Sequence, residues 1–242
     1  MFYFLLTPIM TFNFILIAAA VIPAVFLMLK VYRSDRLEKE SRGLLLRLVR
    51  GGILSSLLAL VEERILSAVL GRMVDEKTLL YNIILYFIVV AVSEESSKYI
   101  FLRRNSWNSV EFNSRFDGVV YAVFTSLGFA LWENISYVMT YGFRVAIVRA
   151  VTAIPGHACF GVFMGVFYGL ARMYYNRREY SLSKICRVMS VIIPVFLHGT
   201  YDFIATMEET VFGLYFIAFV SILFVVSYIV VSKESKTDEY IV

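Results

Sequence analysis

Acidic, basic and histidine side chains recur at helical spacing inside apolar stretches of this 242-residue sequence. Glu94 and Lys98 are four residues apart and share one helix face, with Glu95 beside them. A lysine beside two carboxylates can keep one ionised while burial favours the protonated form of the other. Such a group can supply a general base and a neighbouring acid, although a simple ion pair has the same spacing. His198 and Asp202 are also four apart, so the aspartate can orient the imidazole or both can ligate a metal ion.

Two further apolar stretches carry the remaining candidates. Glu133 has Asn134 beside it as a possible hydrogen-bonding partner, and Phe129 and Tyr137 lie four residues to either side. His157 begins a stripe of small residues at four-residue spacing, which continues with Gly161, Gly165 and Gly169. Small residues at this spacing let another backbone approach closely, so we expect His157 to lie at a tight helix–helix seam.

The amino-acid composition indicates the class of fold that positions these residues. Hydrophobic residues make up 60% of the chain and charged residues only 17%, and the mean hydropathy is +0.74. Soluble domains have roughly 45–50% apolar and about 25% charged residues. The sequence therefore predicts an all-α, polytopic membrane helix bundle with about seven transmembrane helices. The net charge of +4 lies in loops beside apolar stretches, so we expect a lipid bilayer and no nucleic acid as partner.

Apolar stretches predict the spans and a single domain over 1–242. No basic residue precedes Lys30, so the first 29 residues are expected to be a retained helix. The second span carries Glu62, Glu63 and Arg64 and could be tilted or partly interfacial. An N-terminal span (1–29) and a C-terminal span (211–231) flank a core of 30–205. The predicted spans are 12–29, 51–70, 79–102, 118–141, 150–173, 188–207 and 211–231.

Alternate loops are rich in lysine and arginine. These are loops 30–50, 103–115 and 172–187 and the segment after 231. The positive-inside rule then predicts an external N-terminus and a cytoplasmic C-terminus.

Inserting a charged side chain at the bilayer centre costs about 2.5–3.5 kcal/mol of free energy. Ionisable residues within membrane spans therefore usually face a cavity. The candidates together suit hydrolysis by an activated water, or a relay of protons or cations through a carrier. The predicted topology places Glu94 in the cytoplasmic half of its span and His157 in the outer half of another. A shared site would therefore need a kink, a tilt or shifted span boundaries.

Four short motifs, taken in order, resemble the PrsW family of intramembrane proteases, which is distantly similar to the CAAX-protease and bacteriocin-processing clan. A DGxxY-like string, Asp117-Gly118-Val119-Val120-Tyr121, begins the fourth span. The resemblance covers residues 30–205. The four motifs are Glu94-Glu95-Ser96-Ser97-Lys98 (EExxK), Phe129-Ala130-Leu131-Trp132-Glu133 (FxxxE), Arg149-…-Pro155-Gly156-His157 (an arginine-to-PGH stretch) and His198-Gly199-Thr200-Tyr201-Asp202 (HxxxD).

This resemblance implies proteolysis of a membrane-anchored protein in the bacterial cytoplasmic membrane. The family's best-known role is site-1 cleavage of an anti-sigma factor after envelope stress. Lys98, Phe129 and Asn134 are expected to support the site. The expected catalytic residues are Glu94, Glu95, Glu133, His157, His198 and Asp202.

Two chemistries remain open for such a protease. In a glutamate-dependent mechanism, Glu94 or Glu95 activates water and a histidine assists the oxyanion or leaving amine. In a metalloprotease, His157 and His198 with Glu133 or Asp202 would bind a divalent metal such as zinc. The rival function is an ion- or proton-coupled carrier that uses the same buried cluster.

Overall fold

Helices make up most of the described residues. The computed structural model describes residues 2–207 and 210–241, and within them the only β-pairing is a single antiparallel bridge between Ser114 and Tyr240. The all-α prediction is therefore confirmed. The described helices are α1 (Phe2–Ser34), α2 (Arg42–Met73), α3 (Leu79–Ile83), a π-helical segment (Ile84–Val90), α4 (Ala91–Ser106), α5 (Asp117–Tyr141), α6 (Phe143–Val151), α7 (Ala153–Asn176), α8 (Tyr180–Ala205) and α9 (Thr210–Lys236).

Seven helical stretches among the described residues are long and apolar enough to cross a membrane, which confirms the predicted number. The third stretch combines α3, the π-helical segment and α4, and the fifth combines α6 and α7. The second is one continuous helix of 32 residues. It begins at Arg42 because the Ser41 hydroxyl accepts a hydrogen bond from the Leu44 amide, at 3.2 Å. Part of the basic segment expected in a loop is therefore helical.

The third stretch ends later than expected, at Ser106 rather than at residue 102. This extension brings Glu94 close to the middle of the stretch. The π-helical segment Ile84–Val90 ends directly before α4, where regular α-helical geometry resumes at Ala91. A π-helical turn takes up extra residues and so rotates the side chains that follow it. The sequence analysis required a kink, a tilt or a shifted span boundary to bring Glu94 and His157 to the same depth. The later helix end and the π-helical turn meet this requirement.

A non-helical residue, Thr152, separates α6 from α7. Gly142 has φ +82° and ends α5, a conformation that glycine adopts without steric cost. Thr152 then interrupts the helix, and Pro155 follows in the first turn of α7, where its missing amide hydrogen is not needed. As a result His157 lies near the start of α7.

Close backbone contacts join α5 and α7, and α5 is the most deeply buried of the seven stretches. A Cβ atom on Gly118 would lie 2.6 Å from the Gly169 backbone nitrogen, and one on Gly161 would lie 2.9 Å from the Ser126 Cβ. Gly165 packs directly on the backbone of Val119. The glycine stripe therefore lies at a helix–helix seam, as the sequence predicted.

The end of the bundle that carries the α1–α2 loop is closed by a C-terminal tail, residues 237–241. The Ile241 amide donates to the Asn113 carbonyl at 2.8 Å, and the Arg115 amide donates to Glu239. In the adjacent loop, Glu40 is buried near Asp117. Burial, followed by the effect of the Asp117 carboxylate, raises the pKa of Glu40 to about 9. The tail and this loop thus pack around the start of α5.

Candidate active site

A polar cavity of about 460 Å³ lies inside the helix bundle, between α2, the π-helical segment and helices α4 to α8. Five of the six expected catalytic residues line it, and the sixth, Glu95, lies directly behind them with no exposed surface. The five lining residues are Glu94, Glu133, His157, His198 and Asp202.

Lys98 forms the centre of the network behind this cavity. Its ammonium nitrogen lies 3.0 Å from Glu94 Oε2, 2.7 Å from Glu95 Oε1 and 3.1 Å from His157 Nδ1. An ammonium group has three hydrogens to donate, and these three acceptors use all of them. The same nitrogen lies 4.0 Å from the centroid of the Phe129 ring, within range of a cation–π interaction. The lysine therefore connects both acidic residues of α4 to the histidine of α7.

The contacts of His157 define its tautomer. Lys98 donates to Nδ1, so Nδ1 accepts and the ring hydrogen is on Nε2. That hydrogen is donated to Glu133 Oε2 at 2.8 Å. The same carboxylate oxygen pairs with Arg149 Nη2 at 3.0 Å, while Arg149 Nε donates to Asn134 Oδ1 at 3.0 Å. Glu133 is thus held between α6 and α7.

His198 lies between two carboxylates. Its Nδ1 is 2.9 Å from Glu95 Oε1, and its Nε2 is 3.3 Å from Asp202 Oδ2. A doubly protonated ring satisfies both contacts, because each nitrogen then donates to a carboxylate. The ring also stacks on Phe160, with centroids 4.8 Å apart and planes 20° apart. This aromatic contact fixes the plane of the imidazole.

Helix α8 reaches this position through a close contact with the π-helical segment. A Cβ atom on Gly199 would lie 2.6 Å from Phe87 Cδ1, so glycine lets the two helices approach next to His198. Pro194 lies one turn earlier inside α8 and cannot donate a backbone hydrogen bond. These two residues place the histidine of α8 against the acidic pair of α4.

The structure brings every expected site residue into one network, including the supporting residues Lys98, Phe129 and Asn134. The expected mismatch in depth between Glu94 and His157 is absent, because Lys98 contacts both. Two further charged residues line the cavity. Arg149 belongs to the arginine-to-PGH motif but was not among the expected site residues, and for Glu63 the sequence indicates only a tilted or interfacial second span. A charge in mid-helix was the available signal for Glu63.

One group of potential metal ligands lies at this cavity among the described residues. It consists of Glu94, Glu95 and His157, with one ligand atom from each within 4.8 Å of the others, and shares only His157 with the set expected from sequence. Two carboxylates and an imidazole are donors that zinc accepts. However, the Lys98 ammonium lies within 3.1 Å of all three atoms. Zinc needs bonds of about 2.0–2.2 Å, so it does not fit while Lys98 occupies this position.

These features define a class of protein: a polytopic membrane protein with a buried site of carboxylates, histidines and a lysine. Comparison with known proteins is more specific. Residues 40–231 match the family model described as PrsW family intramembrane metalloprotease. The chain belongs to this family, so it is an integral membrane protease that acts on a protein substrate. The predicted family and enzyme class are confirmed, and the carrier alternative is not favoured.

Several curated relatives support this assignment over most of the chain. A protein from Geobacillus kaustophilus named Protease PrsW is 32% identical over 198 residues, covering 81% of this chain and 82% of that protein. A protein of the same name from Halalkalibacterium halodurans is 31% identical and covers 93% and 99% of the two chains. The Protease PrsW of Bacillus subtilis is 30% identical and covers 80% and 84%. No solved structure matches the chain.

Proposed function

We propose that this protease cuts its substrate by glutamate-dependent hydrolysis, with Glu94 as the general base. The observation that carries this assignment is the difference between the two acidic residues of α4. Glu94 lines the cavity, and Lys98 holds only its Oε2 atom. Its other carboxylate oxygen has no hydrogen-bond partner among the described residues and is suited to hold a water molecule.

Glu95 is a positioning residue in this proposal. It has no exposed surface and does not line the cavity, so it cannot reach a substrate. Its Oε1 atom contacts both Lys98 and His198. The carboxylate therefore orients the ammonium that holds Glu94 and the imidazole that faces the cavity.

The proposed reaction uses one water and returns its proton. Glu94 removes a proton from the water as the water oxygen forms a bond to the scissile carbonyl carbon. The His198 imidazolium stabilises the resulting oxyanion by donating from Nε2, which exchanges its long contact with Asp202 for the stronger charge of the intermediate. Glu94 then gives its proton to the leaving amine as the carbon–nitrogen bond breaks.

The remaining polar residues hold the opposite wall of the cavity. Glu133 is fixed by His157 and Arg149, and His157 in turn accepts from Lys98. We assign these hydrogen-bonded side chains a positioning role, because they set the orientation of Lys98 without contacting the proposed water. No step is assigned to a metal ion, since the Lys98 ammonium occupies the space between the potential ligands.

The proposed substrate is a single-span anti-sigma factor in the bacterial cytoplasmic membrane, cleaved at site 1. This substrate rests on the best-known role of the family, and the bacterial membrane on the bacterial relatives. The alternating basic loops support an external N-terminus and a cytoplasmic C-terminus. Cleavage would then release a transcription factor on the cytoplasmic side.

The test is cleavage of an anti-sigma factor from the same genome, co-expressed with Glu94→Gln or with the matched control Glu76→Gln. Glu76 is an exposed acid in the α2–α3 loop. We expect Glu94→Gln to lower the cleavage rate roughly 10²–10⁴-fold, the usual contribution of a general base. The control should cleave at the wild-type rate.

Two further measurements complete this test. Purified wild-type protein should keep its activity in a chelator such as 1,10-phenanthroline. Loss that zinc restores would overturn the metal-free mechanism. Wild-type cleavage by a folded Glu94→Gln variant would overturn the assignment of the base. Failure to cut the anti-sigma factor while cutting other single-span proteins would overturn only the substrate.

A further inference from the structure

A second group of carboxylates meets far from the protease site. Asp35 and Glu40 lie in the α1–α2 loop, and Asp117 is the first residue of α5. One oxygen from each lies within 4.8 Å of the others, and the three residues are only 3%, 6% and 2% exposed. Glu133 lies more than four turns further along α5, or about 24 Å at the usual helical rise. The cluster is therefore separate from the proposed catalytic residues.

The position of Asp117 has a structural explanation. Its carboxylate accepts hydrogen bonds from the amides of Asn113 and Ser114, at 2.9 and 2.7 Å. The Ser114 hydroxyl donates to its second oxygen at 2.7 Å. These contacts stabilise the turn that leads into α5. They do not explain why two more carboxylates are buried against it.

No hydrogen bond of this kind accounts for the buried carboxylate of Asp35. Neither of its carboxylate oxygens has a hydrogen-bond partner among the described residues, although the side chain is buried and one oxygen faces the other two carboxyl groups. Buried polar groups are almost always satisfied, so these oxygens indicate a missing partner.

The missing partner is not a basic side chain. Lys39 is next to Glu40 in sequence, but its ammonium donates to the backbone oxygens of Tyr32 and Asp35. Arg115 pairs with Glu234 and Glu239. Among the described residues, no lysine, arginine or histidine nitrogen lies within 4.0 Å of the three carboxylates. Three carboxyl groups so close together repel one another unless a cation or a proton separates them.

We propose that Asp35, Glu40 and Asp117 bind a hard divalent cation, Mg²⁺ or Ca²⁺, that fastens the α1–α2 loop to the start of α5. The donors are all carboxylate oxygens, which these ions prefer, whereas zinc favours sites with histidine or cysteine. A cation here neutralises the repulsion and gives the free oxygens of Asp35 their partner. The site is structural and takes no part in peptide hydrolysis.

The test measures cation binding and thermal unfolding of the full-length protein in detergent. The protein carries Glu94→Gln. This substitution removes one potential metal ligand from the group Glu94, Glu95 and His157, and it makes the result independent of protease activity. After chelation, Mg²⁺ or Ca²⁺ at about 100 times its Kd should raise the Tm by roughly 5–10 °C. Asp35→Asn and Glu40→Gln should each abolish this rise. Glu38→Gln is the matched control, because Glu38 is an exposed acid of the same loop, and it should keep the full rise.

Direct binding makes the proposal falsifiable even if a loop variant fails to fold. Radioactive Ca²⁺, or Mn²⁺ followed by electron paramagnetic resonance, should bind at one site per chain in the Glu94→Gln protein. Absence of binding, or a Tm rise that survives in Asp35→Asn, would overturn the proposal. A folded Asp35→Asn variant that is more stable than its parent at every cation concentration would also overturn it, because the cluster would then hold a proton.

Discussion

Lys98 shows how a charged residue can be buried in a membrane protein without being left unpaired. Its side chain has no exposed surface, and each of its three hydrogens has an acceptor. A buried ion pair adds stability only when the hydrogen bonds of both partners are satisfied, because the loss of water is otherwise uncompensated. The acceptors come from two helices, so the lysine also determines how α4 and α7 are aligned.

The 3.3 Å contact between His198 and Asp202 gives a prediction at the residue scale. Asp202→Asn should lower kcat by up to about 100-fold with little change in KM, because the imidazole loses an orienting carboxylate while the cavity keeps its shape. Asp202→Glu should recover part of the loss. Asp75→Asn, at an exposed position of the α2–α3 loop, is the control. An Asp202→Asn enzyme with unchanged kcat over the full pH profile would show that Asp202 does not act through His198.

Helix irregularities position the site at the scale of elements. The π-helical segment lies just before the acidic residues of α4, and the break at Thr152 lies just before His157. Both irregularities occur within one turn or two of a residue in the network. Regular helices with the same sequence spacing would direct these side chains differently, so the irregular turns are part of the site's construction.

The glycine seam between α5 and α7 gives a prediction at this scale. Gly165→Ala should destabilise the protein by about 1–3 kcal/mol, because its Cβ would overlap the backbone of Val119 and Gly118. Gly213→Ala is the matched control in α9, where nothing lies within 4 Å of the added atom and alanine favours the helix. Chemical unfolding in detergent measures both. Equal stability of the two variants would show that the seam can relax.

The spacing of residues on one helix was readable from sequence, and the irregular turns were not. The four-residue spacing of Glu94 and Lys98, and of His198 and Asp202, correctly placed each pair on one face. The segment Ile84–Val90 is uniformly apolar, so its periodicity gives no sign of a π-helix. The later end of α4 was missed because the apolar run stops before Arg103 and Arg104 while the helix continues to Ser106. Distances between helices cannot be derived from the spacing within them.

Charge was harder to interpret than spacing. Arg149 belongs to the arginine-to-PGH motif, but the motif gives no partner for its charge, and in the structure the short helix α6 brings it to Glu133. The buried contacts of Asp35 and Glu40 were also unexpected, since a short polar loop is normally solvated. The tail and the start of α5 cover that loop, and contacts so distant in sequence leave no local pattern.

At the scale of the whole molecule, the proposed topology predicts which loops are accessible from outside the cell. In a Cys186→Ser background, which removes a partly exposed native thiol, Asp75→Cys should react with a membrane-impermeant maleimide on intact cells. Val110→Cys, in the α4–α5 loop and 93% exposed, should react only after permeabilisation. The reverse pattern would show that the chain is inserted with the opposite orientation.

The network around Lys98 draws on helices that are far apart along the chain, and this order has a consequence for biosynthesis. Ribosomes make the N-terminus first, so α4, α5 and α7 exist before His198 and Asp202 have been translated. Until α8 is inserted, Glu95 lacks its imidazole partner and the cavity lacks one wall. A nascent chain therefore has no complete site, and the protease becomes competent only once α8 has packed against the other helices.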